Sequence, residues 1–237
     1  MFAYDAEVTE RYPSIRAGVV HATGLVNGPS PPALSEEYAA VQHSARERLN
    51  ATAIADLPSI AAWRRAFSAF GAKPTQHRNA AEALQRRLAK HGDVPSINAL
   101  VDIGNLVSIR YAIPVAVFDK ADVAGSTTVR FATGAELFTD LGSSDSTHPE
   151  PGEVVFVDDD DVVSARRWCW RQSAQSATGA TTVDALVVVE GLHDTAQRDV
   201  ESATHDLVEL LAAYQPQSRV TSYLLSPESP AAENAGR

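Results

Sequence analysis

Cysteine is nearly absent from this chain: Cys169 is alone among 237 residues. One thiol excludes an internal disulfide and supplies too few thiolates for a metal cluster. Long apolar runs are missing as well. None reaches the roughly 18 residues of a membrane-spanning helix. The opening stretch, MFAYDAEVTERYPSIRAG, lacks the basic segment, apolar stretch and small-residue cleavage site of a secretory signal. A cytoplasmic protein without a membrane partner is the expectation. Basic residues number 20 against 30 acidic ones, a formal net charge of −10. Such a balance argues against indiscriminate binding to nucleic acid, and no DNA partner is expected. Also missing are G-x-S-x-G, G-x-x-x-x-G-K-[ST] and a G-x-G-x-x-G after a strand. Their absence argues against a nucleophile elbow and against phosphoryl transfer through a P-loop. No metal and no cofactor are expected.

What is present begins with a core: 44% of residues are hydrophobic, ordinary for a globular protein. The acidic balance reverses locally. From Trp63 to His91 the chain carries Arg64, Arg65, Lys73, Arg78, Arg86, Arg87 and Lys90 against a single acid, Glu82. Two readings stand for this stretch, a surface that faces RNA and an ordinary solvated helix face.

Periodicity divides the chain into a helical first half and a strand-rich second half. Ile15 to Val26 reads as a strand ending at Asn27-Gly28-Pro29. Helices are predicted over Glu36–Asn50 and over Pro58–Phe70, where Pro suits the first turn and Gly71 ends it. A third runs from near Thr75 to Gly92. The fourth is capped by Ser96, with Ile97, Leu100, Gly104, Val107 and Tyr111 on one face. Beyond Val115 the period becomes two, with strands at Val115–Phe118, Thr127–Ala132, Val154–Val157, Ala165–Arg171 and Ala185–Glu190. A last helix is predicted over Thr195–Tyr214 and a final strand over Arg219–Leu225. Strands that outnumber crossover helices point to an α+β fold. Residues 1–225 are expected to form a single domain, and SPESPAAENAGR, from Ser226 on, a disordered tail.

Three local patterns carry chemistry. VDDDDV (Val157–Val162) reads as a solvated turn, because four consecutive acids cannot all aim at one cation. ARRWCWRQS alternates, placing Arg167, Cys169 and Arg171 on one face and Trp168 and Trp170 on the other. The guanidinium groups could meet phosphate or pair with neighbouring carboxylates, and Cys169 reads as a small buried hydrophobe. Glu190 closes the apolar strand ALVVVEG, followed by Gly191, His193 and Asp194. A carboxylate at that place is set to reach into a cleft, where burial raises its pKa. The plainer alternative is a strand-end acid in water, with Asp194 capping the last helix.

The stretch SINALVDIGNLVSIRYAIPVAVFD (Ser96–Asp119) resembles the signature segment of the B3/B4 domain of the phenylalanyl-tRNA synthetase beta subunit. Val101, Asp102, Ile103, Asn105, Val107, Pro114, Phe118 and Asp119 match in ungapped register. VRFATGAELFTDLG, EVVFVDDDDV and ATTVDALVVVEG continue the resemblance in order. It implies a three-layer α+β fold with mixed and antiparallel sheets, and an editing site that hydrolyses tyrosine wrongly attached to phenylalanine tRNA. Glu190 corresponds to the family's glutamate that recognises the tyrosine hydroxyl. Ala116 stands where the family has a histidine, and WRQSAQS replaces its double-glycine segment.

Such a pocket would be lined by Asn105, Ala116, Trp170, Arg171 and Gln172, with Glu190 and His193 as its acid–base pair. Three functions follow as expectations. The first is a trans-acting hydrolase of mischarged aminoacyl-tRNA, unable by itself to ligate phenylalanine. The second is a non-catalytic module that binds RNA or a free amino acid. The third is a small-molecule enzyme built on Glu190, His193 and Asp194.

Overall fold

Two apolar periods, two and 3.6, become two sheets and a helical layer. The structure is a computed structural model and describes residues 1–232. In chain order it has β1 (Phe2–Tyr4), α1 (Ala6–Arg11), β2 (Arg16–Thr23), α2 (Pro32–Ala51), α3 (Pro58–Ala69), α4 (Ala80–His91) and α5 (Ala99–Tyr111). Strands β3 (Val115–Asp119), β4 (Thr127–Phe131), β5 (Phe138–Thr139), β6 (Ser146–Thr147), β7 (Val154–Val157), β8 (Val163–Arg166), β9 (Arg171–Gln172) and β10 (Asp184–Gly191) follow. The described chain closes with α6 (Ala196–Tyr214), β11 (Arg219–Leu225) and β12 (Ala231–Ala232). No helix among the described residues is long and apolar enough to cross a membrane.

One sheet has the order β11-β2-β10-β3 and is antiparallel throughout. The other runs β12-β1-β4-β7-β8-β9, with β1 and β4 parallel. The β10 sequence, an almost unbroken apolar run, is that of a strand covered on both faces. Val187 and Val189 pack with Leu106, Val107, Ala203 and Leu207 of α5 and α6. Leu186 and Val188 pack the other way, on Phe2, Val129 and Phe156 of the second sheet. The layers are therefore helices, four-stranded sheet, six-stranded sheet: the α+β three-layer arrangement expected. Close approach of α6 to β2 requires Gly18, where an added Cβ would lie 1.7 Å from Thr204 Oγ1.

The signature segment owes its acids to architecture. Asp102, fully buried, accepts from Ser96 Oγ, from Ser30 Oγ at 2.5 Å and from the Ile97 amide at 2.9 Å. Asp119 accepts from Thr182 Oγ1 and from the Ala121 amide. Ser96 is thus a partner of Asp102, and the α5 cap is Asn98, whose side chain accepts from Val101 N. Ile97 lies outside the helix and is 67% exposed. Likewise Asp158, in the acidic run, closes its own turn by accepting from the amides of Asp160 and Val162.

Three further expectations differ. The third helix begins at Ala80, where the Asn79 side chain caps it by accepting from Glu82 N. The strand expected over Ala165–Arg171 breaks after Arg166, because Arg167 and Trp168 adopt left-handed backbone, φ 44° and 58°. The tail expected to be disordered from Ser226 first makes a turn, with paired Ser226 and Ser229, and then β12, which pairs with β1. Residues 233–237 lie outside the described residues.

Candidate active site

Alternation along β10 puts Glu190 in one row with Leu186 and Val188, facing the gap between the sheets. The carboxylate is 2% exposed. Its Oε1 accepts from Tyr4 OH on β1 and from Trp168 Nε1 at 2.8 Å. Among the described residues no hydrogen bond engages Oε2. Both partners are neutral, so burial dominates and pushes the carboxyl up to about 7, against the opposing pull of those two hydrogen bonds. Tyr4 is raised well above its ordinary value by burial first and then by the charge of Glu190.

Trp168 reaches that position through the left-handed turn. Two consecutive non-glycine residues in this conformation cost roughly 1–2 kcal/mol each. The turn swings the indole inward, fully buried against Tyr12, Trp63 and Phe70, and leaves Trp170 at the rim. The strict alternation expected of ARRWCWRQS therefore fails: Trp168 and Trp170 occupy different environments. Trp170 is flanked by the guanidinium groups of Arg167 and Arg171, 4.8 and 4.5 Å from its ring centre, and by the His77 ring at 4.7 Å.

Beside Glu190 opens a cavity of about 410 Å3, counting the part continuous with solvent. Pro114, Val115, Ala116 and Phe118 form one wall, Phe156 and Ala165 the second sheet's wall, with Trp168 and Cys169 lining the inner part and Ala80, Trp170, Arg171 and Gln172 nearer the surface. Of the residues predicted from sequence, Glu190, Ala116, Trp170, Arg171 and Gln172 meet here. Their side chains are not equally available. Gln172 Nε2 donates to Val117 O and Ser176 O at 2.8 and 2.6 Å, tying its loop to the edge of β3. Arg171 pairs with Asp140 at the surface. Cys169 lines the wall as a protonated thiol, since burial and then the charge of Glu190 push it well above its ordinary range.

Two predicted residues are elsewhere. His193 is buried just before α6, where Nε2 meets Asp199 at 3.0 Å and its ring lies beside Gly191; it does not line the cavity. The chain turns away immediately after β10, so proximity in sequence to Glu190 is not proximity in the cavity. Asp194 does not cap α6 either, since the residue at its start is Thr195. Asn105 sits on α5 in the helical layer, near the Tyr38 phenol, with the four-stranded sheet between it and the cavity. Sequence reasoning missed Tyr4, because a three-residue strand has no periodicity to detect.

The basic stretch divides as well. Glu82, fully buried, accepts on Oε1 from Arg64 Nη1 and Arg86 Nε, both at 2.8 Å, with Arg78 Nε at 3.9 Å. Arg65, Lys73, Arg87 and Lys90 are exposed. Helix α4 links this cluster to the cavity, as Ala80 lines the mouth and its amide donates to Cys169 O at 2.8 Å.

Comparison with known proteins decides the ancestry of this arrangement. The family profile described as the B3/4 domain matches residues 62–211. The chain belongs to the B3/4 domain family. Within it, the phenylalanine–tRNA ligase beta subunit of Shewanella oneidensis is 36% identical over 76 residues, 32% of this chain and 9% of that subunit. An N-terminal fragment of the phenylalanyl-tRNA synthetase beta-subunit from Pyrococcus horikoshii superposes with a TM-score of 0.47 at 11% identity. That match covers 93% of this chain and 50% of the fragment. The chain thus spans half the length of one relative and matches under a tenth of the other. The cavity, Glu190 and the arginine cluster all fall within the stretch that defines this B3/4 member.

Proposed function

We propose that this B3/4 protein associates with tRNA and hydrolyses the ester of an aminoacyl-tRNA, with the acyl side chain held in the cavity beside Glu190. The observation that carries the reading is a buried carboxylate in the lining of a largely apolar hollow, with no hydrogen bond to its Oε2 among the described residues. That oxygen can accept one hydrogen bond from a hydroxyl or meet the ammonium group of the amino acid; a cation there favours the charged carboxylate.

The chemistry needs no covalent nucleophile. Cys169 is protonated, and His193 is outside the cavity. A bound water would attack the ester carbonyl, the bond from the carbonyl carbon to the ribose oxygen would break, and that oxygen would take up a proton. Free amino acid and uncharged tRNA result. The neighbouring ribose hydroxyl and correct positioning supply the assistance. Glu190 acts as the recognising group, and Arg171, stacked on Trp170 and held by Asp140 only in a half-exposed surface pair, would exchange that pair for the ribose or its phosphate.

The test is incubation of the purified protein with a panel of charged tRNAs. At least one is expected to lose its amino acid faster than the no-protein control, and Glu190→Gln should slow that loss about tenfold or more, the scale of one lost buried hydrogen bond to a charged group. If every tRNA stays charged, the hydrolase reading falls. A second reading, binding of an amino acid or RNA without chemistry, is favoured by Ala116, whose methyl group lines the wall where an acid–base side chain could stand. Calorimetric titration with free amino acids distinguishes it.

A further inference from the structure

The α3–α4 cluster contains more positive charge than its fold requires. One arginine suffices to neutralise a buried carboxylate, yet three converge on a single oxygen of Glu82. Arg64 and Arg86 each donate to it through one nitrogen and Arg78 stands 3.9 Å off without a hydrogen bond, although a guanidinium carries five N–H donors. Their side chains are 27%, 43% and 42% exposed for Arg64, Arg78 and Arg86, so the unused donors reach solvent. No other acid among the described residues pairs with them. Like charges gathered this closely repel one another, and an incoming anion on their solvent side would relieve that repulsion.

Its surroundings indicate which anion. Arg64 also lines an open groove with Arg65, Ser68, Ala69 and Pro74, about 920 Å3 including its solvent-filled part. A groove this open suits an extended chain better than a small enclosed phosphate. Ala80, at the cavity mouth, and Glu82 belong to the same turn of α4, which spans only about 5.4 Å of helix axis. A strand whose end enters the cavity would pass the arginines within a nucleotide or two.

We propose that Arg64, Arg78 and Arg86, held together by Glu82 as a positioning residue, clamp a backbone phosphate of RNA next to the Glu190 cavity. The proposal rests on the reading of this chain as tRNA-associated. The remaining donors of the three forks hydrogen-bond the phosphate oxygens, and Arg65 extends the contact along the groove.

The test is fluorescence anisotropy of a labelled, uncharged single-stranded RNA ending in a tRNA acceptor sequence, measured across a salt series. Arg78→Gln and Arg65→Gln, which leave both 2.8 Å bonds to Glu82 intact, should each weaken binding and lower the salt slope by about 1. Glu82→Gln is expected to weaken binding although it makes the protein more positive, because the three side chains lose their common anchor. Unchanged affinity and slope in Arg78→Gln and Arg65→Gln, or tighter binding in Glu82→Gln, would overturn the clamp. Inorganic phosphate bound at millimolar concentration by a protein that ignores the RNA would replace it with a small-phosphate site. Charged tRNA hydrolysed at one rate by wild type and these variants would refute the clamp and leave the cavity reading intact. RNA binding lost in the variants, with no ester hydrolysed by any form, would support the clamp and refute the hydrolase.

Discussion

Glu190 and Glu82 are both buried carboxylates, less than a domain's width apart, and their neighbours could hardly differ more. Glu190 is met only by a phenol and an indole, neutral donors in an apolar hollow. Glu82 is met by three guanidinium cations at the edge of solvent. Burial imposes the same desolvation problem on each, and the charge of the partners decides the outcome. At Glu190 the problem is left half-solved, which makes the group sensitive to pH and to whatever enters the cavity. At Glu82 the cations all gather on one oxygen, with positive charge left over toward solvent, while the other oxygen has no hydrogen-bond partner among the described residues.

The contrast can be broken from the neutral side first. Trp168→Ala removes a donor to Glu190 and a fully buried indole from the inter-sheet core. A loss of about 3–5 kcal/mol in urea denaturation is expected, and a loss under 1 kcal/mol would show that the left-handed turn, not the indole, organises the cavity. A smaller effect comes from Glu190 itself. Its native pKa of about 7 stands above the ordinary 4.5. Between those values the native protein holds a proton that the unfolded chain has released, so stability declines as pH rises through that window and levels off above it. The decline amounts to about 3 kcal/mol at most. In Glu190→Gln the difference in denaturation midpoint between pH 5 and pH 8 should shrink accordingly; an unchanged difference would place the titration elsewhere. The smallest change is expected at Asp140, whose pair with Arg171 is 40–46% exposed. Asp140→Asn should alter stability by no more than about 0.5 kcal/mol, and a larger loss would mean that the rim is more tightly held than its exposure implies.

How far all this was legible from the sequence follows from the range of the forces involved. The apolar run Ala185–Val189 marked a strand, and of the two readings open for the carboxylate at its end, cleft or water, the structure has the buried one. The β7 and β11 boundaries agreed to the residue, because turn-forming residues flank both segments. Long-range pairing was not legible. β1 has three residues, and its neighbours lie 125 and 230 positions away in register at Phe2. The Arg167–Trp168 turn was hidden because non-glycine residues rarely take left-handed backbone, so ARRWCWRQS carried a false alternation. His193 and Asn105 were assigned to the site by closeness along the chain and by motif membership, and neither fixes which side of a sheet a residue faces. The Glu82 cluster was half visible: Arg78, Glu82 and Arg86 are spaced by four, as partners on one helix flank should be, although Arg78 stands just before the α4 cap and Arg64 arrives from a separate helix.

The pairing of β12 with β1 ties the two extremities of the described chain to the buried carboxylate of Glu190. Tyr4 faces Glu190 only while β1 keeps its register between Ala231–Ala232 and β4, and a slip of one residue would turn the phenol to the opposite side. A purification tag on either flank is consequently no neutral handle. By disturbing that narrow ribbon it would strip the carboxylate of a donor and raise its proton affinity, altering the chemistry some distance from the point of attachment.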